Sequence, residues 1–224
     1  MDAAPYRAGD RRPIAVRHWR VFQSLAAYLA RLGVSPNAIS LAGMGFGILA
    51  GVALGLTACA AGVEERLLWL AAAVCVQLRL LANMLDGMVA IEGARAAPVG
   101  ELFNEIPDRV SDAATLIGAG YAAGGDLVLG YSAACAALFT AYVRAMGKVA
   151  GANQEFCGPM AKQQRMFLVT GVALYCALAP LTWRPVWAPW PGRSVMAGAL
   201  VLILAGCLVT VWRRLRRIAA TLRK

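Results

Sequence analysis

Of the 12 acidic residues in this 224-residue chain, six fall in one stretch from Asn83 to Asp112: Asp86, Glu92, Glu101, Glu105, Asp108 and Asp112. Long apolar runs flank the stretch. Carboxylates at a membrane are costly, which makes them candidates for function. Their spacing is helical: Asn83 and Asp86 are three apart, and Asn104, Asp108 and Asp112 are each four apart. On a helix both intervals return to one face. Two such helices facing each other would gather the oxygens of these five residues around one point. An all-oxygen set suits a hard cation such as Mg²⁺, Mn²⁺ or Ca²⁺. Gly87, Ala90 and Gly100 lie among the oxygens and leave room for a bulky ligand near the backbone. Asp112 has a second reading. Arg79 falls on the same face as Asn83 and Asp86 and lies about as deep as Asp112, so the two are expected either to form a buried ion pair or to share Asp112 with the cation.

The elements that carry these residues follow from composition. The chain is 60% hydrophobic and 15% charged, outside the range of soluble domains. The expected fold is an all-α integral membrane protein with six transmembrane helices preceded by an amphipathic juxtamembrane helix. Apolar positions Phe22, Leu25, Leu29 and Leu32 share a face of a basic stretch that also holds Arg20, Arg31 and the single histidine, His18, read as an interfacial residue. Gly33 to Asn37 reads as a boundary, with Ser35 as a cap and Pro36 at the first helical position. The spans are expected at 37–63, 67–91, 102–125, 127–146, 166–183 and 194–212, with a kink at Pro107. Gly43, Gly45, Gly47, Gly51 and Gly55 give the first span a small-residue face. The domain reading is a cytoplasmic N-terminal segment 1–35, a membrane domain 36–212 and a basic cytoplasmic tail 213–224.

The net charge of +10 is read as topological, because basic loops stay on the cytoplasmic side. Both termini and the loop between spans two and three are therefore expected in the cytoplasm, in a multi-pass protein of the cell inner membrane. No nucleic-acid partner is expected, since the basic excess comes without a binding motif. The six cysteines show no paired spacing and read as free thiols. No removable leader is expected. The tryptophans at 183, 187 and 190 read as an interfacial belt.

The order N-x-x-D-G-x-x-A, then a gap, then G-x-x-x-N-x-x-x-D resembles the signature of the CDP-alcohol phosphotransferases, D-x-x-D-G-x-x-A-R…G-x-x-x-D-x-x-x-D. It covers about thirty residues with gap lengths intact. Asn83, Ile91 and Asn104 depart from it, and the pattern is similar to the branch of bacterial YnbA-type proteins. The resemblance implies transfer of a phosphatidyl-type group from a CDP-alcohol, expected to be a CDP-diacylglycerol-like lipid, to a small acceptor alcohol, with release of CMP. It implies Mg²⁺ or Mn²⁺ held by Asn83, Asp86, Asn104 and Asp108, with Asp108 also the catalytic base; Asp112, one turn beyond the signature, is the candidate to replace a lost carboxylate in the metal set. It implies a CDP pocket lined by Gly87, Ala90 and Gly100, and a possible homodimer among membrane lipids.

Arg144, Lys162 and Arg165, at the ends of spans four and five, are candidates for a phosphate or carboxylate on the acceptor. They read equally as topological charge. Arg95 is a candidate substitute for the missing arginine at 91. Two asparagines where the family has aspartates weaken the cation's charge match, so a catalytically silent scaffold is an alternative. A cation or solute transporter is a further one, although no internal repeat is visible.

Overall fold

The computed structural model describes residues 19–92, 98–152, 154–185 and 189–223. His18 and the residues before it, the loop residue Arg95, and Trp187 lie outside these residues. So do the side chains of Gly100, Glu101 and Asn104, although their backbone is helical.

Among the described residues seven α-helices follow one another: α1 Arg20–Arg31, α2 Pro36–Leu56, α3 Gly62–Glu92, α4 Pro98–Tyr121, α5 Leu127–Val149, α6 Lys162–Leu178 and α7 Val195–Leu222, with a short 3₁₀ turn Leu181–Trp183. No strand occurs among the described residues. Among the described residues four helices, α2, α3, α5 and α7, are long and apolar enough to cross a membrane. The chain is thus a multi-pass membrane protein. α4 is long but carries Glu101, Glu105, Asp108, Arg109 and Asp112, and α6 has 17 residues. Each falls outside the usual profile of a lone span of ~20 apolar residues.

Local chemistry sets several boundaries. Ser35 accepts from the Ala38 N–H at 3.1 Å and Pro36 opens α2. α3 begins earlier than the apolar run alone indicates, at Gly62, so that Glu64 and Glu65 occupy its first turn, where the helix dipole favours acids. α4 passes through Pro107 as a continuous helix. α7 runs on through Arg213–Arg217 to Leu222, making most of the basic C-terminal segment helical.

The packing is organised by α2, which lies along both α3 and α4, while α3 and α4 barely touch each other. Small residues permit this. A Cβ on Gly47 would stand 2.3 Å from the Ser111 Cβ, and one on Gly51 2.3 Å from the Ala114 carbonyl oxygen. A Cβ on Gly118 would meet the Gly51 Cα at 2.4 Å, so two backbones touch at this crossing. Of the glycines expected on the packing face, Gly45 has nothing within 4 Å of its would-be Cβ and faces away. The main core runs from α2 to α7 through Leu54, Trp69, Leu116, Met166, Leu200 and Ile203. A second cluster joins Ala26 of α1 to Ile39 of α2 and to Ala82, Leu85 and Val89 of α3.

The end of the bundle far from the signature is closed by ion pairs. Glu65 accepts from Trp69 Nε1 at 3.0 Å and pairs with Arg184. Asp126 caps α5 by accepting from the Leu129 N–H at 3.0 Å, and it pairs with Arg193 at 2.7 Å. All six cysteines are free.

Two outcomes follow from this packing. Gly118→Ala, which places a methyl against the Gly51 backbone, should lower stability by about 1–3 kcal/mol. Gly45→Ala, facing open space, should be neutral or gain up to ~1 kcal/mol from helix propensity. Thermal melts of the two variants in detergent check this. The second outcome concerns Asp126, whose carboxyl is held below the usual carboxylate range by the Leu129 N–H and then by Arg193. A depressed folded value means a stabilisation present above the unfolded value of ~3.9 and lost as pH falls through the folded one. Asp126→Asn should melt below the parent at pH 7, and the gap should narrow progressively as pH falls below the unfolded value of ~3.9.

Candidate functional site

The residues Arg79, Asn83 and Asp86 of α3 and Asp108, Ser111 and Asp112 of α4 lie at one end of the bundle, where the long Arg79 side chain reaches from α3 to α4. Asp86 is buried and anchored from a third helix: Ser40 of α2 donates to its Oδ2 at 2.7 Å, and the Gly87 N–H donates to its Oδ1 at 2.5 Å. Asp86 and Asp108 are near enough for their charges to act on each other. Lys162 reaches in from the start of α6 and donates to Asp108 Oδ1 at 2.5 Å.

One turn deeper, Asp112 is 1% exposed and gives one oxygen to each of two arginines: Arg79 at 2.5 Å and Arg165 at 2.6 Å. Arg79 also donates to Ser111 Oγ at 2.6 Å and to the Asp108 carbonyl at 3.3 Å. It reaches α4 by passing Gly47, whose would-be Cβ stands 3.1 Å from the Arg79 Cδ. Arg165 also donates to the Met160 carbonyl at 3.0 Å. The arrangement joins α3, α4 and α6 through one carboxylate. Such a group is tolerable in a low-dielectric interior only when its partners are present and well aligned.

Further out along α4, Glu105 accepts from Arg109 at 2.7 Å and from Arg144 of α5 at 2.5 Å. Arg144 lies over the Phe156 ring at 5.4 Å and has Gln154 Oε1 within 3.4 Å of its Nη1.

The residues read from the sequence are distributed accordingly. Asn83 and Asp86 stand on α3, with Gly87 and Ala90 just beyond them on the same helix. Asp108 faces them from α4, and Gly100 and Asn104 occupy the first turns of α4. Asp112 is engaged with two arginines, whereas Asp86 is held by Ser40 and the Gly87 N–H and Asp108 by Lys162. Among the described residues no three His, Cys, Asp or Glu side chains converge as a metal cluster. Asn83 Nδ2 is buried without a hydrogen-bond partner. The O and N ends of an amide are near-equivalent in shape, so a turn of this side chain presents an unused acceptor. Two carboxylates and an amide with a spare end form an oxygen donor set that fits a hard divalent cation. Arg144, Lys162 and Arg165 come to the same end of the bundle, each on a carboxylate of α4.

Two further contributors escape local reading: Ser40, which fixes Asp86 from 46 residues away, and Glu105. Only the helical register of Glu105 with Asp108 and Asp112 carried any signal of its place.

Known proteins resemble the chain along most of its length. It is 27% identical over 202 residues to a phosphatidylinositol phosphate synthase of Streptomyces avermitilis, covering 87% of this chain and 76% of that one. It is 28% identical over 182 residues to an archaetidylinositol phosphate synthase of Aeropyrum pernix, covering 75% and 87%. It is 25% identical over 191 residues to the inner membrane protein YnbA of Escherichia coli, covering 82% and 88%. These values lie close together and single out no branch. No family model matches. Among solved structures, the fold matches the Mycobacterium tuberculosis phosphatidylinositol phosphate synthase with CDP-DAG bound, at a TM-score of 0.68 and 19% identity over 89% of this chain and 94% of that one. The same enzyme with manganese and citrate matches at 0.68 and 20%, over 88% of each chain.

Removing the shared carboxylate tests the geometry. Asp112→Ala leaves Arg79 and Arg165 buried without a counter-charge and should cost about 3–5 kcal/mol. The readout is the yield of monodisperse protein and its melting temperature in detergent. Asp112→Asn, which keeps an acceptor but loses the charge, should fall between Ala and the parent.

Proposed function

We propose that this chain, a member of the CDP-alcohol phosphotransferase family, transfers a phosphatidyl-type group from a CDP-alcohol to the hydroxyl of a small second alcohol and releases CMP in phospholipid synthesis. The observation that carries the reading is that Asp86 of α3, held by Ser40 and the Gly87 N–H, and Asp108 of α4, held by Lys162, come to the same end of the bundle at the signature positions.

Asp86 and Asp108, with Asn83 and Asn104, would hold Mg²⁺ or Mn²⁺. Bound there, the cation would neutralise the pyrophosphate charge as the phosphoryl bond breaks. Manganese in one related structure supports a divalent ion of this kind. Asp108 takes the proton of the acceptor hydroxyl, a role that requires a carboxylate within hydrogen-bond reach. Lys162 orients that carboxylate. Gly87, Ala90 and Gly100 leave the backbone open to the cytidine. The donor is a CDP-diacylglycerol-like lipid, a reading supported by the CDP-DAG bound in one related structure. Arg144 and Lys162 flank the acceptor side, with Arg165 behind them on Asp112.

In this reading α4 and α6 complete six membrane crossings, because their charged faces are covered by neighbouring helices, and α1 lies on the membrane surface beside the first span. The site and both termini face the cytoplasm of the inner membrane, following the concentration of Lys and Arg in the terminal segments and between α5 and α6. Asn83 and Asn104 favour one second reading, a relative that binds the CDP-lipid without turning it over.

The test is CMP release from CDP-diacylglycerol by purified protein with Mg²⁺ or Mn²⁺ and a pool of alcohols, beside Asp108→Asn. Metal-dependent release reduced about 100-fold or more in the variant is expected. Metal-dependent donor binding without release would select the silent reading. Neither binding nor release would end both.

A further inference from the structure

Glu105, Asp108 and Asp112 stand at i, i+3 and i+7 on one face of α4, and each meets a cation from another helix. Arg144 of α5 meets Glu105 at 2.5 Å, Lys162 of α6 meets Asp108 at 2.5 Å, and Arg165 of α6 meets Asp112 at 2.6 Å. Arg144 and Lys162, the two that are not fully buried, are the better placed to take an anionic group on an incoming alcohol. The two inner rungs are accounted for: Asp108 by the chemistry proposed above, Asp112 by the buried pairs. The outermost rung, Glu105, takes no part in either. It lies about one turn from Asp108, is 43% exposed, and spans two guanidiniums with its two oxygens, 2.7 Å to Arg109 and 2.5 Å to Arg144.

Two arginines converging on one carboxylate reproduce the way proteins hold a phosphate. Here the chain supplies the anion itself. Arg144 is also occupied elsewhere, with Phe156 on its face and Gln154 near its second nitrogen. A phosphate approaching Arg144 would have to share that guanidinium with Glu105 or expel it. Like charges brought together in this way are a means of discrimination by repulsion. An alcohol without a phosphate meets no such opposition, and an amino alcohol would be drawn to the exposed carboxylate.

We infer that Glu105 is a specificity-determining residue that turns away phosphate-bearing acceptors, so that the acceptor is an unphosphorylated polyol or amino alcohol. The inference rests on the transferase reading.

It is tested with the full-length protein in detergent, CDP-diacylglycerol and Mn²⁺, using two acceptor pools. One holds glycerol, myo-inositol, serine and ethanolamine. The other holds phosphate monoesters of the same alcohols. The quantity read is the ratio of kcat/KM for phosphorylated over unphosphorylated members, which does not depend on the folded fraction. The parent should favour the unphosphorylated pool. Glu105→Gln should raise the ratio by about tenfold or more, chiefly through KM for the phosphorylated pool. Glu105→Asp, which keeps the charge, should retain the parental preference. A purely structural role would lower both pools in proportion. That outcome, an unmoved ratio in Glu105→Gln, or a parent that prefers phosphate monoesters would overturn the inference. CMP release with the monoesters alone would leave the transferase reading standing, whereas no release with either pool would overturn both.

Discussion

Asp112 answers to two arginines on two other helices, in surroundings with almost no water to take the place of either. Its carboxylate is 1% exposed, and Arg79 and Arg165 are 0% and 2% exposed. An uncompensated charge at this depth would cost far more than a single contact returns, so the three side chains can be buried only together. This ties α3, α4 and α6 at one level of the bundle. Asp108, one turn from Asp112 on the same helix, then has little freedom of position. Asp108 is thus positioned by the aspartate one turn below it.

The two ends of the molecule use charge differently. At the far end, Glu65 with Arg184 and Asp126 with Arg193 join helix starts to the connection before α7, and Asp126 also caps α5. These pairs hold the ends of helices together. At the signature end, the cations instead face a row of acids on a single helix. Arg214, in the basic continuation of α7, is buried and donates to the carbonyls of Thr140 at 2.7 Å and Cys157 at 3.1 Å. A residue that composition assigns to a cytoplasmic tail thus braces the segment between α5 and α6, from which Phe156 covers Arg144.

What the sequence disclosed follows from what local spacing encodes. Uncharged runs mark α2, α5 and α7 directly, and the three- and four-residue intervals set Asp86 beside Asn83 and Asp108 beside Asp112. The similar depths of Arg79 and Asp112 were legible because both positions can be counted from the same membrane face. Contacts between segments distant in sequence were not legible. Arg165 reads as a loop-end charge until α6 is folded against α4, where it becomes the second partner of Asp112, 53 positions away. Ser40 reads as one more small residue of an apolar helix until α3 lies beside it. Glu105 counts only as one of six clustered acids with no role of its own, because nothing local announces that Arg144 ends opposite it. The start of α3 was placed late for a related reason: Glu64 and Glu65 interrupt the hydropathy yet suit a helix N-terminus.

α2 gives the cleft only one hydroxyl, yet it is the helix against which both walls rest. Since α3 and α4 scarcely meet, the distance between Asp86 and Asp108 is inherited from the thickness of what stands between them. At Gly43, Gly47 and Gly51 that thickness is bare backbone. α2 therefore works as a gauge block. A methyl group added along it would change the spacing of the two aspartates without touching either of them. If the proposed cation site lies between them, its fit would be set by a helix that supplies it no ligand.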